Sequence, residues 1–547
     1  MMDTWLVVVP PLIVVLLATV TRRILFSLIM GIASAALIIH QFQPWSAVTF
    51  AFSRLLAVSE LGKLASWKLF WTGSNLFICA FLIILGILIT MIHDSGAAYA
   101  YGNAVSKRIS TRQGAERASL LLSMLFFIDD YFGCLTVGSV MQSITDRFKV
   151  PRVKLALLVN AVAAPLAVIV PLSSWVAEIV GQLRNSGVSS TRTASTIILT
   201  DPLYLYTACI PFMLYAFIVI VSLWYMVSMR VSYGLLGRHE RIAQTTGELF
   251  GRKMPITRRV GELSEAKKKK SSLVDFLLPI ITLFAAVVGA IVITGGWWVM
   301  GGQNSLLEAL QNTNIYACFF MGGLIAAVAT FIFLCVRKKI ACRDLPQILR
   351  DGSSLMGSSI IMLMLIWTLS NILAKDLETG SYLARILAGQ LNVLYLPAMI
   401  FVFSALISIL MGTAWGTIGM LIPLALRMLP PFLHLPIPFE LIDAPMVAPV
   451  LGAIISGAVI GNHISPIADV MLMSAASAGS YHIDLVKSQV AFALPTGAST
   501  AVAFLVAGNL VMSHGVFVTA GAALGAGIFC NILLLHLLQF VWQRRQK

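Results

Sequence analysis

Phe127-Ile128-Asp129-Asp130-Tyr131-Phe132-Gly133 sets two adjacent carboxylates in an apolar run where, from Leu120 to Ile144, they are the only charged residues. A carboxylate at the centre of a membrane helix costs about 2.5–3.5 kcal/mol on insertion scales. Two neighbours also repel, so both stay charged only if a cation sits between them. The pair predicts an ion or proton site inside a bilayer.

The rest of the chain fits that setting. Of its 547 residues, 59% are hydrophobic and 11% charged. A soluble domain carries about 25% charged residues, so this composition means a polytopic membrane protein. The net charge of +15 does not point to nucleic acid, because the basic residues cluster in loops as on cytoplasmic faces. The seven cysteines (79, 134, 209, 318, 335, 342 and 530) are scattered. With no Cys-x-x-Cys, no Cys/His metal spacing and no disulfide framework, they read as small packing residues. Met1-Met2-Asp3-Thr4-Trp5 precedes the first apolar run and Arg22-Arg23 follows it. A signal peptide has the opposite charge order, so this segment is expected to be a first transmembrane helix.

Apolar segments of spanning length fall near 4–21, 24–41, 72–93, 155–180, 203–229, 273–299, 315–336, 355–375, 446–480, 489–512 and 516–543. That makes about eleven spans. Two more apolar stretches, about 118–146 and 393–427, are broken by Gly, Pro or charge. Lys107, Arg108, Arg112 and Arg117 precede the first, and Arg147, Lys149, Arg152 and Lys154 follow it. Both groups belong in the cytoplasm, so the stretch should dip in and return as a re-entrant hairpin. Continuing the count puts the 231–272 loop, with Arg252, Lys253, Arg258, Arg259 and Lys267–Lys270, inside. Arg337, Lys338, Lys339, Arg343 and Arg350 also fall inside, as does the tail Arg544-Arg545-Gln546-Lys547. The second hairpin then enters from outside, with the N-terminus outside and the C-terminus cytoplasmic.

The halves resemble each other. His93-Asp94-Ser95-Gly96 and Asp376-Leu377-Glu378-Thr379-Gly380 each precede a hairpin; Asp130-Tyr131-Phe132-Gly133 matches Thr413-Ala414-Trp415-Gly416. Ala163-Ala164-Pro165 matches Ile464-Ser465-Pro466. The fold class expected is an all-α polytopic membrane protein: an inverted repeat with two re-entrant hairpins and discontinuous helices. The first repeat spans 1–230, a basic cytoplasmic loop 231–272, the second repeat 273–515, and a C-terminal helix with basic tail 516–547.

Consecutive residues on a helix diverge by about 100°, so Asp129 and Asp130 cannot both face one cation from a regular helix. Gly133 and Gly138 permit a turn or unwound backbone there, and Asp130, nearer the glycines, is the better candidate. Alternatively, one Asp merely caps the second half of the hairpin. Asn160, Pro165, Pro171, Ser173 and Ser174 lie along 155–178. A proline frees the carbonyl four residues earlier, and with Asn and Ser oxygens such carbonyls suit Na+. A plain proline kink is the simpler reading. Glu178 is expected at the outer, solvated end of this helix.

In the second half, Gly457 to Asp469 holds Asn462, His463, Ser465, Pro466 and Asp469. Glycines before this cluster and Pro466 within it argue for a discontinuous helix. His463 titrates near neutrality in water, and Asp469 is a second buried-carboxylate candidate. A membrane histidine is otherwise a helix–helix hydrogen-bonding residue. Thr413, Ala414 and Trp415 either line a site opposite Asp130 or form a close-packing turn. There is no HExxH, GxSxG, GxGD or Walker sequence, and adjacent aspartates do not make a protease dyad, so no enzyme is expected.

These segments resemble the NhaC-type Na+/H+ antiporter family of the ion-transporter superfamily, from about Leu85 to Gln489 without the central loop. The resemblance is strongest over Phe127–Gly138, Ala163–Trp175, Thr368–Leu383, Gly412–Pro423 and Gly461–Asp469. It implies a secondary transporter in a bacterial inner membrane, exchanging cytoplasmic Na+ for H+ by alternating access. Asp130, Asn160 and Asp469 would hold Na+, Asp129 would assist, and no cofactor is implied beyond Na+ and H+ as coupling ions. The expected partners are the lipid bilayer and a small ion or solute, with a homodimer as one assembly. Departures from the family pattern are Asn160-Ala161-Val162 where Asp-Ser-Thr is usual, Asn462 where Asp is usual, and Gly133-Cys134 in place of a polar residue. An Asn offers Na+ a carbonyl oxygen but carries no proton. The lost acids keep open the alternative of a Na+- or H+-coupled transporter of an amino acid or carboxylate; a passive channel is a further rival.

Overall fold

A computed structural model describes residues 5–21, 23–66, 71, 73–97, 109–254, 272–304, 313–387 and 392–544. Arg22, Lys107, Arg108, Arg258, Arg259, Lys267–Lys270 and the tail beyond Arg544 lie outside the described residues.

The chain is an all-helical membrane protein. The first half contains α1 (Val9–Thr21), α2 (Ile24–Ile39), α3 (Pro44–Ser59), α4 (Asn75–Asp94), α5 (Arg112–Leu125), α6 (Asp130–Arg147), α7 (Arg152–Ile169), α8 (Ser174–Asn185), α9 (Pro202–Cys209) and α10 (Leu214–Ser228). A short amphipathic α11 (Gly234–Thr245) follows. The second half contains α12 (Leu273–Thr294), α13 (Ile315–Val336), α14 (Leu345–Asn371), α15 (Thr379–Leu387), α16 (Leu396–Met411) and α17 (Ala414–Leu433). It ends with α18 (Val447–Ile464), α19 (Asp469–Ala478), α20 (His482–Leu510) and α21 (Val516–Arg544). Among the described residues, 10 helices are long and apolar enough to cross a membrane, or up to 11 with a bent pair counted as one.

The packing repeats with the halves exchanged. α1 lies on α2 as α12 lies on α13; α2 packs on α14 as α13 packs on α4. The hairpin α5/α6 embraces α7 as α16/α17 embraces α18, and α7 meets α10 as α18 meets α20. Each second half-helix crosses to the other repeat's hairpin, α19 onto α6 and α8 onto α17. At the centre α4 crosses α14 backbone to backbone. A Cβ on Gly86 would lie 2.3 Å from the Gly352 carbonyl oxygen, and one on Gly352 would lie 2.6 Å from Ile87 Cα. Small residues permit such crossings where apolar lipid supplies no hydrophobic drive between helices. Three two-residue strands, Val188–Ser189, Ile198–Leu199 and Phe439–Glu440, pair in parallel in that order and tie together one loop from each half.

Several boundaries differ from the sequence reading. The segment 203–229 is not one straight span: α9 with its following turn and α10 meet at 45° around Met213. The first hairpin begins before 118, at Arg112, because the polar turn 112–117 extends its first arm, while the second hairpin runs from Leu396 to Leu433. The helix passes through Pro165 unbroken to Ile169, and the break falls at 170–173, around Pro171. Trp5–Thr21 and Ile24–Ile39 are shorter than a span. The additional helix Pro44–Ser59 exposes Trp45, Val48 and Phe52. Its mixed polarity hid it from a search for apolar runs.

The 231–272 loop contains the helix α11. Glu240 on α11 accepts from Lys154 Nζ at 2.6 Å and pairs with Arg112 at 2.9 Å, while His239 Nε2 lies 3.6 Å from Asp484 Oδ2. These contacts clasp the first hairpin and α20. Burial holds His239 below the ordinary 6.5, outweighing the attraction of Asp484. The fold thus favours the neutral ring, and its contribution is full above pH 6.5 and lost as pH falls below that value. A melting temperature that falls on acidification from neutrality, with a shallower fall in His239→Gln, is expected. Identical slopes in the two proteins would refute this assignment. At the central crossing, Gly352→Val should cost at least about 1–3 kcal/mol by overpacking, read as a lower melting temperature in detergent.

Candidate ion site at the crossed helix breaks

Four helices begin at the interior breaks: α6 at Asp130, α8 at Ser174, α17 at Ala414 and α19 at Asp469. A helix start leaves backbone N–H groups unpaired, which cannot stand free in a bilayer. The Ser173 hydroxyl accepts from Val176 N at 3.3 Å and donates to Ala167 O at 2.5 Å, joining both sides of its break. Thr413 accepts from Gly416 N at 3.4 Å. Gly412 before it has φ 69°, a left-handed turn that favours glycine.

Each hairpin tip docks into the break of its own repeat. Ser174 N donates to Ile128 O at 2.9 Å, and Ser174 Oγ to Asp129 Oδ2 at 3.0 Å. In the other half Ser465 Oγ donates to Ile409 O at 2.9 Å. The repeats then meet through Trp175 and Trp415, packed edge to face with centroids 5.9 Å apart. Seven sequence candidates thus gather at the breaks or their hairpin tips: Asp129, Asp130, Ser173, Ser174, Thr413, Trp415 and Ser465. Asp469 joins them at the start of α19.

The electrostatic centre is Tyr131. Asp130, Asp469, Asp129 and Glu178 all lie within interaction range of its side chain. Asp129, Asp130 and Glu178 are each 1% exposed. Among the described residues, Asp130 Oδ1 and both Glu178 carboxyl oxygens have no hydrogen-bond partner. No cationic side chain lies within ion-pair distance of Asp130, Glu178 or Asp469 there. Unpaired carboxylates buried as Asp130 and Glu178 are must take up protons or hold a cation. Asp469, expected from the sequence to be buried, is instead exposed, because it starts its helix at the wall of a cavity.

Glu178 corrects the sequence reading. Treating 155–180 as one helix put it at a solvated outer end; starting α8 at Ser174 puts it one turn inside. Asn160, buried with both amide atoms unpartnered, lies ten residues before the break-end Val170, about 15 Å of helix rise away. It therefore sits at a different level from Asp130. Pro165 is inside α7. Asn462 and His463 occupy the last turn of α18, where His463 Nδ1 is 3.0 Å from the Tyr215 hydroxyl.

One cavity reaches the cluster, and a second lies farther along α14. A cavity of about 240 Å³ is bounded by Tyr131, Asp469, Ile24, Ser359 and Met362. A polar basin of about 420 Å³ lies toward the other end of α14, with Asn371 and Lys375 in its wall. Between them, Gln182 Nε2 donates to Ser370 Oγ at 2.6 Å and to Gly419 O at 2.8 Å, bridging α8, α14 and α17.

Residues 166–509 match the model of the Na+/H+ antiporter family. An uncharacterized protein of Haemophilus influenzae is 29% identical over 505 residues, covering 92% of this chain and 90% of its own. Two solved transporters are similar in structure. The Alcanivorax borkumensis YdaH transporter is 13% identical with a TM-score of 0.46, over 89% of each chain. Neisseria gonorrhoeae MtrF, described with a class of antimetabolite efflux pumps, is 10% identical with a TM-score of 0.41, over 89% of this chain and 83% of its own.

Ser174 holds Asp129 by a charge-assisted bond, so Ser174→Ala should cost about 1.5–3 kcal/mol. The reading is a lowered melting temperature in detergent; an unchanged one would show that the bond does not anchor the tip.

Proposed function

Because the chain belongs to the Na+/H+ antiporter family, we propose that this secondary transporter exchanges cytoplasmic Na+ for H+ across a bacterial inner membrane. The observation that carries the reading is the group of carboxylates around Tyr131, three of them without a cationic partner among the described residues. Na+ and H+ are alternative ways to neutralise such a group, and a site that holds one or the other is an exchanger.

Asp130 takes the central role, at the start of α6, with Asp129 positioned by Ser174. Glu178 supplies a further proton-accepting group one turn into α8. Asp469 faces the cavity beside Tyr131 and is the point of entry. Under the orientation set by the basic loops, that cavity leads to the cytoplasm and the basin to the outside. The Gln182 bridge is then the closed outer gate. Alternating access requires that bridge to part while the approach to Asp469 closes, by movement of the hairpins against α4 and α14.

Everted membrane vesicles should dissipate a preformed ΔpH on addition of Na+ or Li+. Asp130→Asn should slow this by about a hundredfold or more, the size expected when an essential proton-transfer group is removed. Full exchange by a folded Asp130→Asn protein would overturn the assignment.

A further inference from the structure

We propose that the basin at the Lys375 end of α14 is a separate binding site for a small carboxylate-bearing solute. Its volume of about 420 Å³ falls in the range of small-molecule pockets, roughly 300–1,000 Å³, and far exceeds the needs of a monovalent cation. Its wall carries three cations, Arg54, Arg184 and Lys375, against one carboxylate, Glu60.

That carboxylate is already engaged. Glu60 accepts from Lys63 Nζ at 2.7 Å and from Ser74 N at 2.6 Å, while Arg184 Nη1 stands 3.8 Å away. Although burial opposes it, the Lys63 and Ser74 bonds hold Glu60 below the usual carboxylate range. Asp376, the other nearby acid, is bound to Arg54. Lys375 has no carboxylate within ion-pair distance among the described residues, and Arg427, Arg54 and Arg184 act on it against the attraction of Asp376. Nε of Arg54 and Nε of Arg427 are buried without acceptors.

Lys375 stands where it does because the end of α14 widens into a π-helical turn, Ile372–Asp376. Such turns cost helix geometry and recur at functional sites. With Arg54 and Arg184 each facing one carboxylate and Lys375 facing none within ion-pair distance, the cluster lacks one component, an anion. Guanidinium groups bind carboxylates through paired N–H donors. Asn75, Asn185 and the hydroxyl of Thr193 add neutral polar groups for the rest of such a solute.

The site does not depend on the exchange reaction, and the test separates them. Full-length protein in neutral-lipid nanodiscs would be titrated with succinate, L-glutamate and citrate, each as the sodium salt, by calorimetry and thermal unfolding. Sodium chloride and sodium sulfate at matched ionic strength are the controls. At least one carboxylate should bind saturably and raise the melting temperature beyond both controls. Lys375→Gln should weaken it about tenfold or more, about 1.4 kcal/mol, and Lys375→Arg should restore it. Arg184→Gln gives a second loss if Lys375→Gln does not fold. Asp130→Asn should bind the carboxylate as the unaltered protein does, so a failure of exchange and a failure of this site are distinguishable. Shifts matched by chloride or sulfate would overturn the proposal, as would absence of binding or undiminished affinity in the variants.

Discussion

A polypeptide that interrupts its helices inside a bilayer must satisfy every backbone group it exposes, because no lipid atom can. Each interior helix end presents up to four unpaired groups, and each such group costs several kcal/mol in hydrocarbon. Here the debt is met locally, by Ser173 across its own break, Ser174 onto Ile128 and Ser465 onto Ile409. That stitching requires each hairpin tip to reach the break of its own repeat. It also requires the second half-helices to cross to the opposite repeat, which brings Trp175 onto Trp415. The glycine crossing of α4 and α14 allows the two repeats to approach closely enough.

The repeats agree in backbone and differ in charge. Asp130 begins α6, where Ala414 begins α17; Ser174 begins α8, where Asp469 begins α19. Three of the four carboxylates around Tyr131 therefore come from the first half. A symmetric scaffold holds an asymmetric chemistry, because the packing needs small and apolar side chains at equivalent positions but leaves the helix-start residues open to change.

Much of this was legible from residues alone. Charge on both flanks of 118–146 forced a hairpin, and the glycines and Pro466 located the second break. The family match over 166–509 agrees with the resemblance read from the motifs. The first break was not located between Pro165 and Pro171, because either proline with small neighbours can open a helix; α7 in fact stays helical through Pro165. Reading 155–180 as one span also put Glu178 at the surface. His463 was equally ambiguous: only the fold brings up Tyr215, 248 positions away in sequence, as its partner. The basin could not be read at all, since Arg54, Arg184 and Lys375 come from three distant segments.

The Gln182 bridge also has an electrical consequence. Met362 borders the cavity and Asn371 the basin. The nine residue steps from 362 to 371 span about 13 Å of helix, against about 30 Å of hydrocarbon. Were both filled with water, the transmembrane voltage would fall across this thin partition rather than across the whole bilayer, roughly doubling the local field. A unit charge carried past the partition would then sense nearly the full potential, about 2.3 kcal/mol per 100 mV, while moving little more than two helical turns.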